Sequence, residues 1–404
     1  MKNYKVNILY SDTGGGHRSA ANAIIEAANR LMLAKFPGSI NNIRFAADNV
    51  VEKSHPANKA LVDFYNFLLR YHQSWMIYYF NFINAFRIDN NEFIYKFTKK
   101  YIHEKLLELN SDILVSVHPM LNNYVVRGLE ELGLRDKTKF FVVVTDPNDG
   151  LWKGWAACKA DLVYVPNELA SNKLIEYGVS PEKIKIVGMP VHPKFLDQSN
   201  ITKSDTKMSL GLNPRLYTVC INAGWAGGGN MLSILREILK TSLKIQVVFI
   251  CGNNKALYKE ACKISKNSKI LAKILPYCEN MPNIMDITDL MITKGGGLTV
   301  YEALAKNLDL IFDTISQPMP QEAGTIKHLC DEKRAYGLSD PSQVGKIIAK
   351  CQDRHGRNAK NYKNNKYDCF GSYIIAENII NALHKDLVLM KSQELIEEET
   401  SMVS

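Results

Sequence analysis

The residues of this chain that could do chemistry gather at three points where a short apolar run ends in glycine. Val6–Tyr10 leads into Ser11-Asp12-Thr13-Gly14-Gly15-Gly16-His17-Arg18-Ser19-Ala20, and a helical pattern starts at Ala20. Thr218–Asn222 leads into Ala223-Gly224-Trp225-Ala226-Gly227-Gly228-Gly229-Asn230. Leu290–Thr293 leads into Lys294-Gly295-Gly296-Gly297-Leu298-Thr299-Val300-Tyr301-Glu302. A strand, a glycine loop and a helix start, in that order, put free N–H groups and a positive helix end at the carboxyl edge of a sheet, where anions bind. Glycine also lets the backbone approach a diphosphate closely. The first loop is not a P-loop, since no Gly-Lys-Ser/Thr closes it, and it lacks the GxGxxG order. Either later loop alone reads as a tight turn; the pair points to a nucleotide diphosphate cradled between two helix N-termini. His17 is placed to face a cleft as a general base, or to act only as a helix-cap partner.

Such loops need a scaffold to aim them. Further strand patterns lie at Ile43–Ala47, Ile113–Val117, Phe140–Val144, Leu162–Val165, Ile184–Val187, Gln246–Cys251 and Leu310–Asp313. They alternate with helical patterns, and Phe140-Phe141-Val142-Val143-Val144 is the continuous apolar run of a parallel strand buried on both faces. A chain of 404 residues exceeds one hydrophobic core. The polar stretch Lys194–Arg215 separates the two series as a linker. The expected fold class is therefore α/β: two doubly wound, Rossmann-like domains facing a central cleft. Their expected spans are 1–198 and 199–385, with an acidic tail at 386–404 carrying Glu394, Glu397, Glu398 and Glu399.

The composition, 46% hydrophobic and 23% charged, excludes a disordered chain or a structural coil. A net charge of +9 suits an anionic surface or ligand but is too mild for nucleic acid alone. The eight cysteines show no zinc-ribbon or CxxC spacing, which fits a reduced, cytoplasmic protein without disulfides. No secretory leader and no apolar run long enough to cross a bilayer is expected. Residues 61–97 hold 13 of the 38 aromatic residues, and no charged residue lies between Tyr71 and Phe86. Lys96, Lys99, Lys100 and Lys105 follow. This segment reads either as a helical pair in the first core or as a surface that meets anionic lipid through residues 61–105.

The first loop, Ser11 to Arg18, resembles the opening motif of the monogalactosyldiacylglycerol synthase and processive diacylglycerol glucosyltransferase family. Lys294 to Ala303, followed by Gln321-Glu322-Ala323-Gly324, is similar to the donor-domain signature of the same group. The similarity runs, with gaps, from about residue 5 to about 385. It implies a GT-B fold with an N-terminal acceptor domain, a C-terminal UDP-sugar domain and no metal or other cofactor. By that resemblance Glu302 holds the ribose hydroxyls, and Thr299 with Gly296 and Gly297 faces the phosphates, as do Gly224, Gly227 and Gly228. Gln321 and Glu322 contact the donor sugar, and uracil lies at Pro276 to Cys278. His17 is the base, with Asp146 as a second candidate. Gly15, Gly16, His118 and Trp155 are expected on the acceptor side. His118-Pro119 and Gly188-Met189-Pro190-Val191 match family positions lining the cleft.

Two departures stand out. The loop after Asp146, where the family usually carries a His, reads Pro147-Asn148-Asp149-Gly150-Leu151-Trp152-Lys153, and Thr325 stands where galactolipid synthases often have Asn. The expected activity is inverting transfer of a hexose from UDP to a lipid hydroxyl such as that of diacylglycerol, at the inner face of a membrane. The alternative within the same chemistry is a UDP-sugar glycosyltransferase acting on a non-diacylglycerol acceptor. A UDP-sugar 2-epimerase shares the architecture, and a UDP-sugar sensor with a decayed acceptor site is a non-enzymatic reading.

Overall fold

The computed structural model describes residues 3–37, 42–199, 201–358 and 368–383. Its twelve named strands form two parallel sheets of six. The first contains β1 (Tyr4–Tyr10), β2 (Ile43–Asn49), β3 (Ile113–Ser116), β4 (Lys139–Val143), β5 (Leu162–Val165) and β6 (Ile184–Ile186), in the order β2-β1-β3-β4-β5-β6. The second contains β7 (Tyr217–Asn222), β8 (Ile245–Ile250), β9 (Ala272–Leu275), β10 (Leu290–Thr293), β11 (Asp309–Asp313) and β12 (Ala335–Leu338), in the order β12-β11-β10-β7-β8-β9. The two-sheet α/β arrangement expected from the strand patterns is present. β9 and β12 escaped the pattern because Lys273 and Gly337 interrupt their apolar alternation, and every residue of β9 is only half-buried.

The strand orders fix where loops diverge. In the first sheet β1 lies beside β3, with Ile8 opposite Val115; in the second β7 lies beside β10, with Val219 opposite Leu290. Each is the switch point at which successive crossovers leave on opposite faces, opening a crevice at the carboxyl ends of the strands. His17 and His118 follow β1 and β3; the two later glycine loops follow β7 and β10.

Chain order misassigned one element. Residues 371–383 are helical, and Ile375, Ala376, Ile379, Ile380 and Leu383 pack with Tyr4, Val6, Ile8 and Ile24 under the first sheet. The span 199–385 therefore does not stay with the second sheet. Gly188–Val191, expected to line the cleft, instead clasps this crossover: the Met189 N–H donates to the Asp368 carbonyl, the Gly371 N–H to Met189, and Ser372 Oγ to Val191. The linker is also partly structured, with a helix at Lys203–Ser209 and with Phe195 and Leu212 buried in the second domain. The acidic tail at 386–404 lies outside the described residues.

The aromatic segment forms three helices. Pro56–Tyr71 is capped by His55, whose ring accepts from the Ala57 N–H; Met76–Phe86 follows; Glu92–Leu109 is capped by Asn91. The segment divides by face. Leu68, Leu69, Met76, Tyr65, Tyr79 and Phe80 pack against Ala226, Trp225 and Met319 of the second domain, whereas Phe64, Phe67, Tyr71, Trp75, Tyr78, Phe82 and Phe86 are exposed. Among the described residues no helix is long and apolar enough to cross a membrane.

Candidate active site

Both switch points open into one cleft of about 360 Å³. The first domain contributes Thr13 to His17, Ser19, His118, Thr145 and Asp146; the second contributes Asn222, Gly224, Cys278, Lys294, Gly296, Gly297, Thr299, Glu302, Gln321 and Glu322. Gly15 has φ +83°, and a Cβ there would lie 3.0 Å from the Trp225 ring. Only glycine lets the first loop pass so closely under the second.

His17 starts the helix Gly16–Ala34. Its Nδ1 lies 2.6 Å from the Val117 carbonyl. A carbonyl can only accept, so Nδ1 carries the proton and Nε2 presents its lone pair. Nε2 makes no hydrogen bond among the described residues. Burial lowers the ring's pKa to about 4, against the pull of the Val117 bond. The imidazole is thus neutral across the physiological range. The His118 ring stands 4.5 Å away, edge-on. Its Nδ1 accepts from the Met120 N–H, which leaves Nε2 to donate to Thr13 Oγ1 at 3.0 Å.

Asp146 Oδ2 accepts from Trp155 Nε1–H at 2.7 Å, and burial pushes its carboxyl up to about 6. Burial likewise raises Glu302 to about 8, opposed by Lys194 and by a hydrogen bond from Ser19 across the cleft. Glu322 rises to about 7, again chiefly by burial. Lys294, buried between these loops, has its pKa lowered by burial, while Glu322 and Asp313 hold it up. It makes no ion pair or hydrogen bond among the described residues, so its buried amine faces the cleft without a close partner.

Comparison with known proteins places this geometry. The model of the monogalactosyldiacylglycerol (MGDG) synthase family matches residues 17–191, and that of the glycosyltransferase family 28 C-terminal domain matches residues 230–322. In both of its halves the chain is thus similar to the MGDG synthase and family 28 glycosyltransferase group. It is 28% identical to the chloroplastic MGDG synthase of Spinacia oleracea over 85% of this chain and 65% of that one. MGDG synthase 1 of Arabidopsis thaliana gives 28% over 85% of this chain and 64% of the relative. The chain thus spans just under two thirds of the length of these relatives. Among solved structures, MurG of Acinetobacter baumannii superposes with a TM-score of 0.59 at 12% identity, over 94% of this chain and 99% of that one. The Staphylococcus aureus MnaA–UDP co-structure also gives 0.59, at 14% identity, over 95% and 97%. The fold is GT-B.

Within that family frame, three expected contacts move. Trp155 is fully buried and does not line the cleft; it holds Asp146 through its Nε1–H, and its ring stands 6.1 Å from that of His17. Gly227 and Gly228 do not line the cleft. A Cβ on Gly227 would lie 2.1 Å from the Cys251 carbonyl, and one on Gly228 2.3 Å from the Leu69 carbonyl of the first domain. Both serve close packing, as does Arg70 Nε, which donates to the Ala226 carbonyl at 2.9 Å. Lys294, Tyr65, Trp225 and Trp152 line the cleft without having been assigned a role from sequence. Lys294 stands in the glycine motif itself, the one local signal; Tyr65 and Trp152 come from distant segments and had none. Of the lysines after the aromatic run, Lys99 pairs with Glu131 and Lys105 with Asp48 and Glu108.

Proposed function

We propose that this chain is an inverting glycosyltransferase that moves a hexose from a UDP-sugar to the hydroxyl of a membrane lipid of the diacylglycerol type. The observation that carries the reading is the position of His17: a neutral imidazole with Nε2 free, in the same cleft as two glycine loops at a sheet switch point. The relatives named as MGDG synthases support a lipid acceptor.

In this mechanism the donor lies on the second domain. Glu302 accepts from the ribose hydroxyls. The N-terminus of the helix Gly297–Ala305 and the Lys294 ammonium face the diphosphate. The acceptor hydroxyl gives its proton to His17 Nε2 as its oxygen bonds to the anomeric carbon. The bond from that carbon to the phosphate oxygen breaks, and UDP leaves with the electron pair. Asp146 stabilises the imidazolium. No metal is invoked, because Lys294 and the helix end offset the charge on the departing diphosphate. Incubation with radiolabelled UDP-glucose or UDP-galactose and mixed lipids tests the reading: labelled glycolipid is the expected product, and label appearing only as free hexose or UDP-sugar isomer would overturn it.

The exposed aromatic face is the proposed lipid-docking surface. Trp75 is 60% and Tyr78 70% exposed. Replacing Trp75, Tyr78 and Phe82 with Ser is expected to release the protein from anionic vesicles in a flotation assay. UDP binding should persist and stability should shift by no more than about 0.5 kcal/mol, since these are surface positions. Tyr79 is left intact because it packs inward on Tyr65, at 5.6 Å between ring centres. Unchanged flotation would remove the docking assignment.

The epimerase reading has one observation in its favour, the carboxyl groups of Asp146, Glu302 and Glu322 in one cleft. UDP-sugar isomerisation without any acceptor would establish it.

A further inference from the structure

The loop that departs from the family pattern ends on the other domain. Asn148 is fully buried. Its Nδ2 donates to the Gln321 carbonyl at 2.6 Å and to Thr325 Oγ1 at 3.0 Å, and its Oδ1 accepts from the Gly150 N–H at 2.7 Å. The partners fix the amide's orientation: a carbonyl can only accept and a backbone N–H can only donate, so the group cannot be flipped. Both of its N–H donors and one lone pair of its oxygen are used. Two glycines make the approach possible. A Cβ on Gly150 would lie 2.3 Å from the Pro320 carbonyl, and one on Gly324 would lie 2.8 Å from Asn148 Cβ. The two departures from the family pattern, the loop after Asp146 and Thr325, are thus the two sides of one contact.

What this contact holds matters more than the contact itself. Asp146, two residues before Asn148, faces the cleft and is tied back by Trp155. Gln321 and Glu322 lie in the first turn of the helix Pro320–Asp331, and both line the cleft from the opposite side. Gln321 Oε1 is buried and has no hydrogen-bond partner among the described residues. Its main chain is pinned by Asn148 while its side-chain oxygen stays available to a ligand hydroxyl.

We propose that Asn148 is a positioning residue: an interdomain clasp that sets the distance between the acceptor-side carboxylate Asp146 and the donor-sugar residues Gln321 and Glu322. It touches neither substrate and acts through the backbone of the helix it grips. Its catalytic half rests on the glycosyltransferase reading; its structural half does not. Misplacement of reacting groups by about 1 Å can cost 10²-fold in rate, and a loosened cleft also admits water to the donor.

The test compares wild type, Asn148→Ala, Thr325→Val and the double variant. Asn148→Ala is expected to lower kcat by roughly 10–100-fold. UDP affinity by calorimetry should stay within about twofold, since the nucleotide contacts lie elsewhere on the second domain. The ratio of donor hydrolysis to transfer should rise, and small-angle scattering should give a larger radius of gyration. Thr325→Val removes one of the two cross-domain bonds at constant shape, so it should move every readout the same way by less. The double variant should resemble Asn148→Ala alone, the non-additivity of one shared contact. An Asn148→Ala protein with wild-type kcat and radius of gyration overturns the proposal. If that variant does not fold, Thr325→Val decides by the same two readouts. If wild type transfers no sugar, the functional reading fails, and the scattering comparison alone still decides the clasp.

Discussion

His17→Ala is expected to cut turnover by roughly 10²–10⁴-fold, the usual contribution of a positioned base. Val117 fixes the proton on Nδ1 and leaves Nε2 as the acceptor. Burial then keeps the ring neutral down to about pH 4. The sign follows directly: a His whose folded pKa lies below its ordinary value does not lose its base function on mild acidification. The acid limb of wild-type activity is therefore expected near pH 6–7, where Asp146 and Glu322 take up protons, and not near 4. UDP affinity should change by less than about twofold, since the nucleotide lies on the second domain. Near-normal turnover in a folded variant would make His17 a packing residue and Asp146 the leading base.

Glu302→Ala is expected to weaken UDP binding by roughly 10–100-fold, because removing the acceptor of charge-assisted hydrogen bonds costs about 1.5–3 kcal/mol. Burial holds the empty carboxyl up to about 8, so at neutral pH the site is largely protonated before ligand arrives. UDP affinity should accordingly rise with pH toward 8 in wild type, as the carboxylate form that accepts two hydroxyls becomes populated. In Glu302→Ala that slope should disappear. Titration calorimetry at pH 6.5 and 8.5 reads both effects. Unchanged affinity in a folded variant would remove Glu302 from the donor site.

Much of this site was legible because its signals are local. A glycine loop between a strand and a helix is written in a dozen consecutive residues, and three such loops placed His17, Gly224, Gly296, Gly297 and Thr299 on one cleft. The apolar run Phe140–Val144 announced a central strand for the same reason. Two edge strands, β9 and β12, were missed because Lys273 and Gly337 break their apolar runs, whereas the edge strands β2 and β6 kept a readable pattern. Whether the aromatic segment was core or surface had no answer in composition; its helices are both, one face against Trp225 and Met319 and the other exposed.

By itself, then, the sequence determined the fold class and the switch-point loops, including the place of His17 on the cleft. Each depends on patterns within one turn, strand or helix. Only the tertiary structure decided that the last described helix returns to the first sheet and that Trp155 serves Asp146 instead of a ligand. The same holds for the burial of Lys294 on the cleft and for the closing of the loop after Asp146 onto Thr325. Burial, ionisation and cross-domain hydrogen bonds depend on residues far apart in the chain, 177 positions for Asn148 and Thr325, and no local pattern of residue types encodes which distant partner completes them.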